Sequence, residues 1–151
     1  MQESAQSTLV DIESFLLKTI THPTFKDLRD HQDWFDDFEP ELDDHIRFSD
    51  EKYKRVILLE HPAFDLLVIG WKPGQGTGVH DHPAQGCLFK VIQGSLNEQY
   101  YKSDEKPELR LHIPGKSVFL SSQDCKHAMI NDGVTNAVTL HLYAPGQYDP
   151  D

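Results

Sequence analysis

The 151-residue sequence is short of cysteine, with only Cys87 and Cys125, and short of positive charge, with 14 Lys and Arg against 25 Asp and Glu. Two cysteines are too few for a disulfide framework and fit a reducing compartment, where a thiol has a chemical role or is simply buried. A net charge of −11 repels phosphate backbones and anionic lipid, which argues against nucleic acid and membrane surfaces as partners and leaves a small molecule. No window approaches the apolar length that spans a bilayer, and the opening MQESAQSTLVDIESFLL has no basic stretch followed by an apolar one. The expectation is a cytoplasmic protein. Nothing in the surface specifies an interface, so a monomer is the default.

What is present reads as one domain over residues 1–151, because 38% hydrophobic residues in a chain of this length suffice for one core. Residues 1–50 read as mainly helical. Leu9, Ile12, Leu16 and Ile20 recur at helical spacing, and His22-Pro23 ends the pattern. A second helix is expected from Thr24, whose hydroxyl would cap a turn containing Asp27, through Leu28 toward Trp34. The acidic run DDFEPELDD then reads as a solvated loop. From residue 51 onward the character is β: RVILLEH, FDLLVIGW, CLFKVIQG, SLNEQYY, SVFL, HAMIN and AVTLHLY, separated by Pro, Gly, Asn and Asp. Seven short strands predict a mainly β sandwich or small barrel.

The period of two along a strand decides which side chains share a face. Gly78, His80 and His82 form one set, and Thr139, His141 and Tyr143 another, with Leu140 and Leu142 on the opposite side. Imidazoles at i and i+2 project in parallel and suit two adjacent positions on a metal, so a third ligand must come from another strand.

Gly74, five residues, His80-Asp-His82, four residues, Cys87, six residues and Gly94 resemble the first cupin motif, with cysteine where a glutamate ligand normally stands. His127 and Asn131 in HAMIN resemble the second, whose usual proline and glycine positions read Ser121 and Gln123 here. Cysteine in the glutamate slot, YKR before the metal motif, WKPG leading into it and HLYAP at the end make the chain similar to the cysteine dioxygenase type I family. The resemblance runs from Tyr53 to Pro145. It implies a cupin double-stranded β-helix, a jelly-roll-like small barrel with N-terminal α-helices, holding Fe(II) on His80, His82 and His127. It further implies that Arg55, helped by Tyr53, binds a substrate carboxylate, and that Cys87 and Tyr143 form a thioether cross-link. Thr139, where the family usually has serine, and His141 resemble the hydrogen-bond chain that positions Tyr143. Ala144-Pro145 stands where the family has a cis Ser-Pro bond.

The implied reaction joins O2 and L-cysteine to give cysteine sulfinic acid. Three neutral imidazoles leave Fe(II) its full charge and open positions for an amine-thiolate chelate, and both oxygen atoms go to sulfur. Arg55 would grip the carboxylate with a planar fork. The alternatives are a dioxygenase for 3-mercaptopropionate, whose enzymes usually lack that arginine, and a non-redox metal-binding cupin, since three histidines also suit Zn(II). Outside the motifs, His22, His31, His45, His61 and His112 read as ordinary structural or surface residues, and Cys125 has no matched role.

Overall fold

The computed structural model describes residues 8–38, 40–102, 106–121 and 126–147, so Cys125 and Gln123 lie outside it. Helix α1 spans Leu9–Thr19, and Thr8 caps it by accepting the Asp11 N–H at 3.1 Å. Its spacing turns Ile12 and Leu16 inward, with Ile20 just beyond, and all three are buried.

The second helix starts later than its sequence suggests. His22 Nδ1 takes the Thr24 hydroxyl at 2.8 Å and the Thr24 N–H at 3.2 Å, so that hydroxyl is committed backwards. Asp27 becomes the cap instead, accepting from Arg29 N at 3.0 Å, for a short 3-10 turn over Leu28–His31 that leads into α2, Gln32–Asp37. The acidic loop that follows is pinned rather than fully solvated, because Phe38 and Leu42 within it are buried. Lys90 reaches up from below and donates to the carbonyls of Phe35, at 2.6 Å, and Phe38, at 2.9 Å, at the C-terminal end of α2, where backbone carbonyls run out of helical N–H donors.

Among the described residues eight strands follow: β1 Lys54–His61, β2 Phe64–Trp71, β3 Cys87–Gln93, β4 Leu96–Tyr101, β5 Glu108–His112, β6 Val118–Leu120, β7 Lys126–Ile130 and β8 Ala137–Tyr143. They form one antiparallel sheet in the order β1-β2-β8-β3-β6 and another in the order β5-β4-β7. The architecture is mainly β, as expected, but among the described residues the sheets do not close into a barrel. β5 was not legible as a strand because its alternation is inverted. Leu109 and Leu111 face solvent while Arg110 and His112 turn inward.

The central strands β2 and β8 are buried along their whole length, because the larger sheet is covered on both sides. Leu66, Val68, Leu88, Leu140 and Leu142 pack against α1, α2 and the acidic loop. The alternate residues, including Leu67, Ile69, Trp71, Cys87, Phe89, Val91 and Tyr143, pack against Leu96 and Met129 of the smaller sheet. Those alternate positions carry the candidate site.

Candidate metal centre

His80 and His82 are not on a regular strand. Pro73 and Pro83 cannot donate to a ladder, and the intervening segment meets β7 through two isolated bridges, Gly76 with Ile130 and His80 with His127. Backbone hydrogen bonds of 2.9 Å run both ways between His80 and His127. A Cβ on Gly76 would lie 2.6 Å from the Met129 carbonyl, so only glycine permits this approach. The ring atoms then converge: His127 Nε2 lies 3.0 Å from Nε2 of both His80 and His82, and the ligand-capable atoms of all three histidines fall within 4.8 Å of one another.

The chemistry of this cluster calls for a cation. His80 donates Nδ1–H to the Gly78 carbonyl at 2.9 Å, and His127 donates Nδ1–H to Glu98 at 2.7 Å, so neutral rings present bare lone pairs at Nε2. Two lone pairs facing each other at 3.0 Å repel, whereas nitrogens bound at right angles to one ion at ~2.1 Å stand about 3 Å apart. Burial, followed by the neighbouring His127 and His80, pushes His82 down to about 3, which keeps its ring neutral and available as a ligand. The donor set therefore fits a divalent transition metal with positions left open for other ligands.

Glu98 is a site residue that the sequence motifs do not contain. It is 0% exposed, and its second oxygen bonds His112 Nε2 at 2.8 Å. Burial acts to raise Glu98, but the hydrogen bonds from His112 and His127 outweigh it and hold the pKa down to about 2. The signal was its parity: Leu96, Glu98 and Tyr100 alternate on β4, which puts a carboxylate on the face that carries buried Leu96.

A cavity of ≈ 20 Å³ lies beside the three histidines, and Arg55, Tyr53, Cys87, His141 and Tyr143 all line it. Every site residue expected from the sequence is thus in one place. Arg55 comes from β1, opposite Ile69 of β2. Tyr53 is buried with its ring stacked 4.8 Å from that of Trp71. Cys87 of β3 and Tyr143 of β8 are direct cross-strand partners, which places their Cβ atoms ~4.5–5.5 Å apart. Thr139 accepts from Trp71 Nε1 at 2.9 Å and shares a 2.7 Å hydrogen bond with His141 Nε2. Burial, reinforced by the neighbouring His127 and by the Arg55 guanidinium, holds His141 well below the usual histidine range and therefore neutral. Trp71, the first residue of WKPG, and Met129, within HAMIN, complete the apolar wall.

Asn131 serves as a clamp rather than a lining residue. Its amide donates to the Trp71 carbonyl at 3.0 Å and the Thr135 carbonyl at 2.9 Å, and its oxygen accepts from Gly133 N at 3.0 Å. The Ala144-Pro145 bond is cis. Among the described residues no helix is long and apolar enough to cross a membrane.

Comparison with solved structures agrees with the fold. A double-stranded β-helix protein from Klebsiella pneumoniae is 22% identical and superposes with a TM-score of 0.60 over 72% of this chain and 90% of its own. Cysteine dioxygenase type 1 of Danio rerio is 34% identical over 112 residues, covering 66% of this chain, and the Homo sapiens protein of that name is 29% identical over 110 residues, covering 67%. The chain spans about half the length of these curated relatives, 54% and 55%. The sequence profile of cysteine dioxygenase type I matches residues 4–149, nearly the whole chain. With the three-histidine cluster in place on a cupin-like pair of sheets, that match settles kinship: the chain belongs to the cysteine dioxygenase type I family.

Proposed function

We propose that this chain is an Fe(II)-dependent thiol dioxygenase that oxidises L-cysteine with O2 to cysteine sulfinic acid. The observation that carries the reading is that one cavity is lined by the three histidines, by Arg55 and by the Cys87 and Tyr143 pair. Bound Fe(II) would supply the site for thiolate and O2 and the redox chemistry that places both oxygen atoms on sulfur. His80, His82 and His127 contribute no negative charge, so they favour an anionic sulfur as the next ligand. Arg55 binds the substrate carboxylate through two parallel N–H donors, and Tyr53, braced by its stack on Trp71, assists it. That grip fixes the direction in which the thiol points. Tyr143 offers a hydroxyl at the reacting end. A bond from a Tyr143 ring carbon to Cys87 Sγ, formed with loss of two hydrogens to O2, would remove its rotamer freedom. Thr139 and His141 hold neutral hydrogen-bonding groups along the same face of β8. The charge of −11 and the scarcity of cysteine support a cytoplasmic enzyme for a small molecule.

The test is oxygen uptake by Fe(II)-reconstituted protein with L-cysteine, 3-mercaptopropionate and cysteamine, with the sulfinate product identified by mass. Preference for L-cysteine is expected. Uptake only with 3-mercaptopropionate would keep the chemistry and replace the substrate, and no uptake with iron bound would leave a non-redox cupin. Intact mass before and after turnover reads the cross-link as a loss of two hydrogens, which Cys87→Ser must abolish.

A further inference from the structure

The smaller sheet carries a polar rung whose outer half lies beyond the site described above. On β4, Glu98 is the Cα partner of Arg110 on β5 and of Met129 on β7. Its two carboxylate oxygens reach one diagonal step to each side. On β5 this is His112, the partner of Leu96, and on β7 it is His127, the partner of Tyr100. Diagonal neighbours on one sheet face are within reach of long side chains, so the register itself builds the line His112 Nε2, Glu98, His127 Nδ1, at 2.8 and 2.7 Å. It starts on the edge strand of the sheet and ends at the imidazole cluster.

A carboxylate in this position needs a reason. An apolar side chain would fill the space without the cost of removing a charge from water, and a buried charge is kept only where its partners are placed to use it. Here both oxygens are used. One sets the His127 tautomer so that Nε2 is the free lone pair, and it fixes the plane of that ring. The other is held by His112, whose ring packs edge-on against Phe89 with centroids 5.1 Å apart. Phe89 in turn stacks on His141 at 5.6 Å, so His112 is braced against the same wall as the site.

We infer that Glu98 is a positioning residue for the metal ligand His127, and that His112 is the latch that keeps the Glu98 carboxylate in register, so the two together set metal affinity. This rests on the metal-centre reading above. The negative charge one residue removed from the ion also offsets part of the charge that three neutral ligands leave uncompensated.

The experiment measures anaerobic Fe(II) affinity by chelator competition, and the ligand-field absorption of the Co(II)-loaded protein, for the parent chain, Glu98→Gln, His112→Ala and His112→Gln. Melting of each apo-protein serves as the folding control. Glu98→Gln is expected to weaken Fe(II) binding by about 10–100-fold and to shift the Co(II) bands. His112→Ala should weaken it by ~3–10-fold, with His112→Gln, which restores a donor, returning to within about two-fold of the parent. Parent-like affinity and spectra in both Glu98→Gln and His112→Ala overturn the inference. If Glu98→Gln does not fold, His112→Ala decides alone, since it leaves the carboxylate in place, and unchanged affinity there overturns the latch. Failure of the parent chain to bind Fe(II) or Co(II) is a separate result that brings down the metal reading and this inference with it.

Discussion

Thr139→Val tests the buried chain beneath the site. Valine matches threonine in shape, so the substitution removes a hydroxyl and little else. That hydroxyl serves two buried groups, Trp71 Nε1–H at 2.9 Å and His141 Nε2 at 2.7 Å, and Thr139 itself is 0% exposed, so no water replaces it. A buried polar group stripped of its partner costs ~1–3 kcal/mol. Two such groups, with some relaxation, give about 2–4 kcal/mol. For a chain of this size that lowers Tm by about 5–15 °C. Thr139→Ser keeps the hydroxyl and loses one methyl group, near 0.8 kcal/mol by the ~25 cal/mol/Å² scale, and is the control. Urea denaturation and calorimetry of both variants, with Trp71→Phe added to complete a double-mutant cycle, read the difference and a Trp71–Thr139 coupling of ~0.5–3 kcal/mol. If Thr139→Val costs no more than Thr139→Ser, or the cycle shows no coupling, the hydroxyl does not bridge indole and imidazole and the reasoning fails.

Three further perturbations separate the parts of the molecule. Arg55→Gln should remove about 2–4 kcal/mol of carboxylate binding, ~30- to 1000-fold in kcat/KM for L-cysteine, while oxidation of cysteamine changes little; equal losses for both thiols sink the clamp. Gly76→Ala places a Cβ 2.6 Å from the Met129 carbonyl and must push the His80 segment off β7, whereas Gly78→Ala meets nothing within 4 Å. Metal titration should therefore show a loss of about ten-fold or more for the first and none for the second, in line with the precision that ligand geometry demands. Lys90→Met strands the Phe35 and Phe38 carbonyls and should cost about 2–3 kcal/mol in urea denaturation without altering metal affinity.

His80 and His82 were legible as a candidate ligand pair because two adjacent positions on a metal suit imidazoles two residues apart, and His127 through its resemblance to the second cupin motif. Cys87, Tyr143, Arg55 and Tyr53 were legible through family resemblance alone, and the fold brings all of them to one cavity. Glu98 and His112 were hidden for a different reason. They act through diagonal contacts between three strands, and the register that makes those contacts is a tertiary fact. β5 was hidden as well, because an edge strand with leucines outward reverses the pattern from which strands are recognised. The start of the second helix moved from Thr24 to Asp27 because His22, two residues back, competes for the threonine hydroxyl, a contest that cap preferences do not weigh. Among the described residues the strands form two sheets and not a closed barrel, and prolines and glycines keep the segment carrying His80 and His82 out of regular strand.

β8 has a consequence for how this lineage can change. Its residues belong alternately to two different interiors, Leu140 and Leu142 under the helices and Thr139, His141 and Tyr143 on the side of the three histidines. Loss or gain of one codon within the strand would exchange the two sets at a stroke, driving imidazole and phenol into the helical core and leucines into the cavity beside the histidines. Point substitutions can be sampled one at a time along β8, but its reading frame of inward and outward positions cannot drift. Variation in length is pushed out to the turns, such as the one closed by Asn131 and Thr135.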